Sequence, residues 1–319
     1  MTLSGTYLDT LRRKINHRLG EIYPQGPRLL TEPVHYALAG KGKRLRPILT
    51  LLTNQACGGK EADALHAAVA VELLHNFTLV HDDIMDQDHT RHGQTTVHTK
   101  WDDGVGVLAG DAMFIIALME LRLSSDNVED LTKAFANGAL AVCEGQALDK
   151  EFETRSRVTL DEYMQMIDLK TGLMLGLAAE LGAICASAGQ EQIEGVRRFG
   201  CLMGRAFQVQ DDLLEIFSDA RTMGKSLGSD LLADKKTYLM IAALDKVPDQ
   251  VQATVETARI DLEPGLASMR RILEDNGIRQ LAEETIHRNI AEAKSQLTSL
   301  GQNAATLEAF AELILNREK

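Results

Sequence analysis

Three carboxylates, Asp82, Asp83 and Asp86, stand at i, i+1 and i+4 in the run Leu74-His75-Asn76-Phe77-Thr78-Leu79-Val80-His81-Asp82-Asp83-Ile84-Met85-Asp86. On a helix this spacing stacks Asp82 and Asp86 on one face and turns Asp83 about 100° away. A solvated acidic face would alternate with Lys, Glu or Gln, whereas Phe77, Leu79, Val80, Ile84 and Met85 flank these acids. Like charges in apolar surroundings are costly unless something positive neutralises them. A hard divalent cation meets that need, and Mg²⁺ prefers carboxylate oxygen and bridges to phosphate. The pattern returns downstream in Phe207-Gln208-Val209-Gln210-Asp211-Asp212-Leu213-Leu214-Glu215. Two such segments facing each other would form a carboxylate-lined cavity able to hold several Mg²⁺ ions around a diphosphate.

The elements that must position these acids read as helices. Six prolines occur in 319 residues, none between Pro47 and Pro248, and the intervening span is rich in Ala, Leu and Met. Aromatic residues make up only 4% of the chain, which disfavours an all-β fold. One all-α domain spanning 1–319 with a large core is the expectation, residues 1–30 being a short helix (Leu8, Leu11, Ile15, Leu19) and a Pro/Gly turn. Beyond Pro248 the chain reads as amphipathic helix with a turn at Pro264-Gly265. A net charge of −12, from 34 Lys and Arg against 46 Asp and Glu, argues against nucleic acid as a partner. Cys57, Cys143, Cys185 and Cys201 have no CxxC or CxxH spacing, which suits reduced core thiols in the cytoplasm. No apolar signal segment opens the sequence, and the apolar stretches 105–118 and 173–186 are broken by Asp111 and Glu180, so no membrane span is expected.

With its paired aspartate motifs the chain resembles the trans-isoprenyl diphosphate synthases, or polyprenyl synthetases, from about residue 35 to the C-terminus. The resemblance implies a bundle of long helices around a central apolar cavity, two or three Mg²⁺ per site, and a homodimer. It implies that Asp82, Asp83, Asp86, Asp211, Asp212 and Glu215 serve as the metal-binding acids, Glu215 standing where the family usually has a third aspartate. Gly42-Lys43-Arg44-Leu45-Arg46-Pro47 matches the family's GKRxRP motif, placing Lys43 and Arg46 on the diphosphate of isopentenyl diphosphate together with His75. Arg91 fits the allylic-diphosphate arginine, while His92 stands where a second arginine is usual for isopentenyl diphosphate. A neutral histidine offers one donor in place of a permanently charged fork, so weaker binding, or binding that improves at lower pH, is expected there. Lys170 and Thr171 are implied beside the departing diphosphate and developing cation, with Gln208 likewise and Gln146 and Asp149 in support. Lys225 and Lys235 are implied as diphosphate ligands. Asp102-Asp103 reads as a solvated loop pair; Arg317 and Lys319 shield the cavity mouth or belong to a frayed end.

The chemistry implied is Mg-dependent prenyl transfer. The allylic C–O bond ionises, the double bond of isopentenyl diphosphate attacks the cation, and the released diphosphate takes the proton. Phe77 lies five residues before Asp82, roughly 7.5 Å along the axis. Its ring, with Thr78 and Phe114, forms the expected floor for the growing tail. The run Phe77–Asp86 resembles geranylgeranyl diphosphate synthases of the archaeal type, which points to a C20 product, with C15 as the alternative. A non-catalytic subunit of a heteromeric synthase should have lost a carboxylate motif, and only His92 leans that way. A metal phosphohydrolase, suggested by His81-Asp82, gives no reason for the second motif; a terpene cyclase would not need Lys43, Arg46 and His75.

Overall fold

A computed structural model describes residues 4–40, 42–91, 93–124, 127–218, 229–232 and 235–315. His92, Lys225, Arg317 and Lys319 lie outside these residues. Helices α1 (Gly5–Glu21), α2 (Arg28–Leu38), α3 (Leu45–Ala56) and α4 (Glu61–Met85) lead into strands β1 (Thr90–Arg91) and β2 (Gln94–Thr95). These pair antiparallel, Thr90 with Thr95 and Arg91 with Gln94. Next come α5 (Val97–Lys100), α6 (Asp103–Leu121), α7 (Val128–Thr154), α8 (Leu160–Ile167), a π turn (Asp168–Gly172), α9 (Leu173–Cys185) and α10 (Gln190–Phe217). The remainder is α11 (Ser229–Leu232), α12 (Tyr238–Lys246), α13 (Pro248–Ile260), α14 (Leu262–Asp275), α15 (Ile278–Ser295), a 3₁₀ stretch (Thr298–Ala304) and α16 (Ala305–Leu315). The fold is all-α; among the described residues the hairpin is the one exception.

Contacts divide the chain into two compact units. The first comprises Met1–Ala139, Met174–Gly200 and Gln296–Phe310. Here α1 begins at a Ser4 cap and buries Leu8, Leu11, Ile15 and Leu19, the face its 3.6-residue period marks out. Helix α4 packs on α3 and α6 and is buried almost all round from Ala64 to Leu74, which suits its Ala-rich, charge-poor sequence. Glu72 is an exception in that run: buried, it pairs with Arg44 at 2.5 Å. Helix α6 is long and apolar enough to cross a bilayer by length and composition, and half of its most apolar stretch is buried within the protein. Its buried Glu120 accepts from Arg18 at 2.6 Å and approaches His66 Nδ1 at 2.7 Å, the pairing of a core helix.

The second unit comprises Leu140–Leu173, Cys201–Ser295 and Ala311–Lys319. Its core gathers Phe152, Tyr163 and Ile167 with Val209, Tyr238 and Leu239, and with Met269, Leu273 and Ile286. Helix α8 opens with a capping box, Thr159 and Glu162 satisfying each other's backbone N–H groups.

Two local expectations are corrected. Asp102 and Asp103 are exposed, as expected, but are not loop: the Asp102 carboxylate accepts from Val105 N at 2.8 Å and caps α6, which starts at Asp103. Pro264-Gly265 is no turn but the first turn of α14, where a proline's missing N–H costs nothing, and the break falls at Asp261. The stretch 88–98 holds the hairpin and the start of α5.

Candidate active site

In the first unit the acids occupy the last turn of α4. Asp82 is half-buried, Asp83 is buried, and Asp86 is exposed at the C-cap, where its N–H donates to Asp82 O at 2.8 Å. The C-terminal end of a helix carries partial negative charge and favours bases, yet the last turn of α4 holds none. Placing carboxylates there works against the local field, a pattern that a bound cation relieves. Asp83 accepts from Arg91 Nε at 2.5 Å, and Arg91 also reaches Asp88 at 3.4 Å. Burial pushes the Asp83 carboxyl up to about 6, more than the Arg91 charge pulls it down. Arg91 comes from β1, so the hairpin supplies the guanidinium that α4 lacks.

The basic cluster divides its labour. Arg44, buried and left-handed with φ 54°, donates to Glu72, Asn16, Leu38 O and Gly40 O at 2.5–3.1 Å. It secures the loop and is spent on doing so. Arg46 Nη1 lies 3.2 Å from His75 Nε2; since a guanidinium only donates, His75 accepts there and carries its proton on Nδ1. Lys43 is exposed, two residues from the start of α3. Lys43, Arg46 and His75 thus belong to one corner of the unit, with Arg44 as their support.

One turn and more below the acids, Phe77 is half-buried, with its ring centroid 4.7 Å from that of His81 and 5.5 Å from that of Phe114. Phe114 in turn stands 6.0 Å from the fully buried Phe135. Thr78 donates to His75 O at 2.8 Å. Phe77 and Phe114 come together as expected; Phe135 extends the series.

In the second unit Asp211, Asp212 and Glu215 lie in the last two turns of α10, again with no base in the final turn. Asp211 is half-buried, and Asp212 and Glu215 are buried. Asp212 accepts from Tyr163 OH at 2.5 Å, Tyr238 N at 2.9 Å and Gln208 Nε2 at 3.2 Å. Gln208 Oε1 accepts from Thr171 at 3.1 Å, and Lys170 donates to Asp149 at 2.8 Å. Lys235 is exposed in the segment before α12. Gln146 is buried, and neither end of its amide has a hydrogen-bond partner among the described residues.

Lys170 and Thr171 sit in the π turn, a geometry frequent at functional sites. Two glycines make room for it. A Cβ at Gly145 of α7 would come within 2.5 Å of Lys170 N, and one at Gly204 of α10 within 2.6 Å of Gly172 Cα. Both obstacles are backbone, so no side chain can yield, and Asp168 is further tied to Arg205 in a two-pronged ion pair. Tyr163 and Tyr238, which sequence reasoning missed, both fix Asp212, from positions 49 and 26 residues away. No spacing rule reaches that far.

Among the described residues no three His, Cys, Asp or Glu side chains are assembled as a ready metal cage. All-oxygen donors, incompletely caged and set against helix C-termini, suit Mg²⁺, which leaves positions for phosphate and water.

Residues 27–265 match the polyprenyl synthetase family. The chain belongs to that family. It is a trans-prenyl diphosphate synthase, and so a prenyltransferase. It is 33% identical to a short chain isoprenyl diphosphate synthase of Methanothermobacter thermautotrophicus, with 100% of this chain and 98% of that protein covered. It is 34% identical to a geranylfarnesyl diphosphate synthase of Natronomonas pharaonis, covering 96% and 95%. The crystal structure of geranylgeranyl pyrophosphate synthetase from Pyrococcus horikoshii Ot3 is similar at a TM-score of 0.91 and 34% identity, over 98% of both chains. Both carboxylate motifs of this synthase fall inside the family match.

Proposed function

We propose that this synthase is Mg-dependent and condenses isopentenyl diphosphate with allylic diphosphates to an all-trans C20 product. The observation that carries the length is the pair of stepped rings, Phe77 and Phe114, 5.5 Å apart and starting five residues before Asp82. A floor of two tilted rings at that depth suits C20 better than C25; relatives named for geranylgeranyl products support C20, and one named for a geranylfarnesyl product supports the longer chain. A C15 product is the second reading, favoured by Phe114 tightening the same floor.

Asp82, Asp86, Asp211 and Glu215 are the residues we assign to Mg²⁺, with Asp83 and Asp212 holding neighbouring groups in place. Bound there, the metal supplies Lewis-acid stabilisation of the departing diphosphate's charge. Arg91, Lys170, Lys225 and Lys235 bind the allylic diphosphate, and Lys43, Arg46, His75 and His92 the isopentenyl diphosphate. Thr171 and Gln208 share one hydrogen-bond chain and present oxygen toward the developing cation. The released diphosphate takes the proton, so no protein nucleophile or base is needed. A homodimer fits the exposed row Leu108, Ile115 and Met119 on α6, each at least 55% exposed, an apolar stripe that a second copy would cover. The cysteine spacing goes with a cytoplasmic setting.

The test is product mass after incubation with Mg²⁺, isopentenyl diphosphate and, separately, C5, C10 and C15 allylic primers. C20 accumulation is expected from each; no product from any primer would overturn the reading in favour of a non-catalytic subunit. Phe77→Ala should lengthen the product by one isoprene unit or more, and an unchanged C20 would remove Phe77 as the floor.

A further inference from the structure

The hairpin that delivers Arg91 is short, two residues per strand, and such a ribbon has little stability of its own. Its base is tied by Thr96, which donates to Asp88 O at 2.7 Å and whose N–H donates to His89 O at 3.1 Å. Its outer strand has a different anchor. Tyr36 of α2 donates its hydroxyl to Thr95 O at 2.7 Å, directly behind the strand that carries Arg91. The Tyr36 ring is itself pinned: Lys100 Nζ sits 3.7 Å above it and 4.7 Å above Trp101, and the two aromatic rings meet edge to face at 5.3 Å. A cation shared by two ring faces and an edge-to-face pair are both favourable, so the hydroxyl is held at a fixed height.

We propose that Tyr36, braced by Lys100 and Trp101, is a positioning residue that sets Arg91 for the allylic diphosphate. Its hydroxyl is given to the Thr95 backbone and its ring to Lys100 and Trp101. It acts through the hairpin: Tyr36 fixes Thr95, the β1–β2 pairing fixes Arg91, and Asp83 receives the guanidinium. This rests on the role proposed above for Arg91. Because Trp101 is the sole tryptophan, its emission reports on the brace directly.

The test is Tyr36→Phe, which deletes one hydroxyl and keeps the ring. We expect the KM for the allylic diphosphate to rise about three- to tenfold, the worth of one hydrogen bond, while kcat, the KM for isopentenyl diphosphate and Tm stay within about twofold or 1–2 °C. In an Arg91→Ala background the same substitution should have no further effect on the allylic KM. Inorganic pyrophosphate with Mg²⁺ should shift Trp101 emission in the wild type and less in Tyr36→Phe. An unchanged allylic KM, an effect that adds in full to that of Arg91→Ala, or equal rises in both KM values with a lowered Tm would overturn the proposal. The emission arm needs no turnover, so a wild type that makes no product would refute the prenyl-transfer reading while the brace is still measured.

Discussion

The two acidic triads carry the same charge at the same end of a helix, yet their middle aspartates are held in opposite ways. Asp83 is paired with a charged guanidinium arriving on a two-stranded hairpin. Asp212 is surrounded by neutral donors, a phenol, a backbone N–H and an amide, all from the packed core of the second unit. A carboxylate on Arg91 holds in place a group that we propose meets the allylic diphosphate. A carboxylate under Tyr163 and Tyr238 organises the core itself. On the proposed function, one sequence motif thus serves binding in one unit and architecture in the other, and the common role is left to the outer acids.

The comparison would break first at those outer acids. Asp82→Ala and Asp211→Ala should each lower kcat about 10³-fold, the scale for removing a group that stabilises developing charge. Steady-state assays at saturating Mg²⁺ with parallel melting curves measure this; a loss confined to one of the two would show that the triads do not act together. The middle acids should then separate. Asp212→Ala leaves the Tyr163 hydroxyl and the Tyr238 N–H buried without their acceptor, and should cost about 1–3 kcal/mol of stability in denaturant unfolding. Asp83→Asn instead removes a charge whose burial is unfavourable, so stability should change little while the allylic KM rises about tenfold as Arg91 loses its counter-ion. The reverse outcome, Asp83 destabilising and Asp212 kinetic, would refute the contrast.

The smallest expected effect sharpens the same point. Tyr163 stands one residue after Glu162, whose carboxylate is held down at about 2 by the Thr159 backbone N–H, Arg155 and the Thr159 hydroxyl. A depressed carboxyl stabilises the fold above its ordinary range and loses that contribution as pH falls toward 2. In acid titrations followed by circular dichroism, Glu162→Gln should be slightly less stable than wild type at pH 7. The difference should vanish by about pH 2. A gap that persists at low pH would mean that the cap's charge is not what steadies α8.

Much of this was legible in the sequence for identifiable reasons. The proline-free span and the leucine spacing of α1 are local signals, and local signals gave the helices. Phe77, Phe114, Arg46 and His75 meet as expected because helical periodicity and the family motifs address them. Boundaries set by a single side-chain hydrogen bond were not legible: Asp102 looks like any loop aspartate until its carboxylate is seen on Val105 N. Pro264 reads as a breaker unless Asp261 is known to start the helix. Arg44 and Glu72 gave only half a signal, an acid in an apolar run and a base among bases, with 28 residues between them. The Asp212 network depends on two tyrosines that nothing local singles out.

The π turn has one more consequence, for changes in chain length. A turn closed by i to i+5 bonds holds one residue more than a regular one, so it absorbs an extra residue between α8 and α9. Losing a single residue from 168–172 would let the two helices fuse into one regular rod without breaking either. The flanking helices would keep their phase, and only the side chains inside the turn would be redirected, each by about the 100° of one residue. Lys170 would leave Asp149, Thr171 would leave Gln208, and Gly145 and Gly204 would face the wrong backbone. One extra residue in this turn, and not the helices around it, decides which contacts those side chains make.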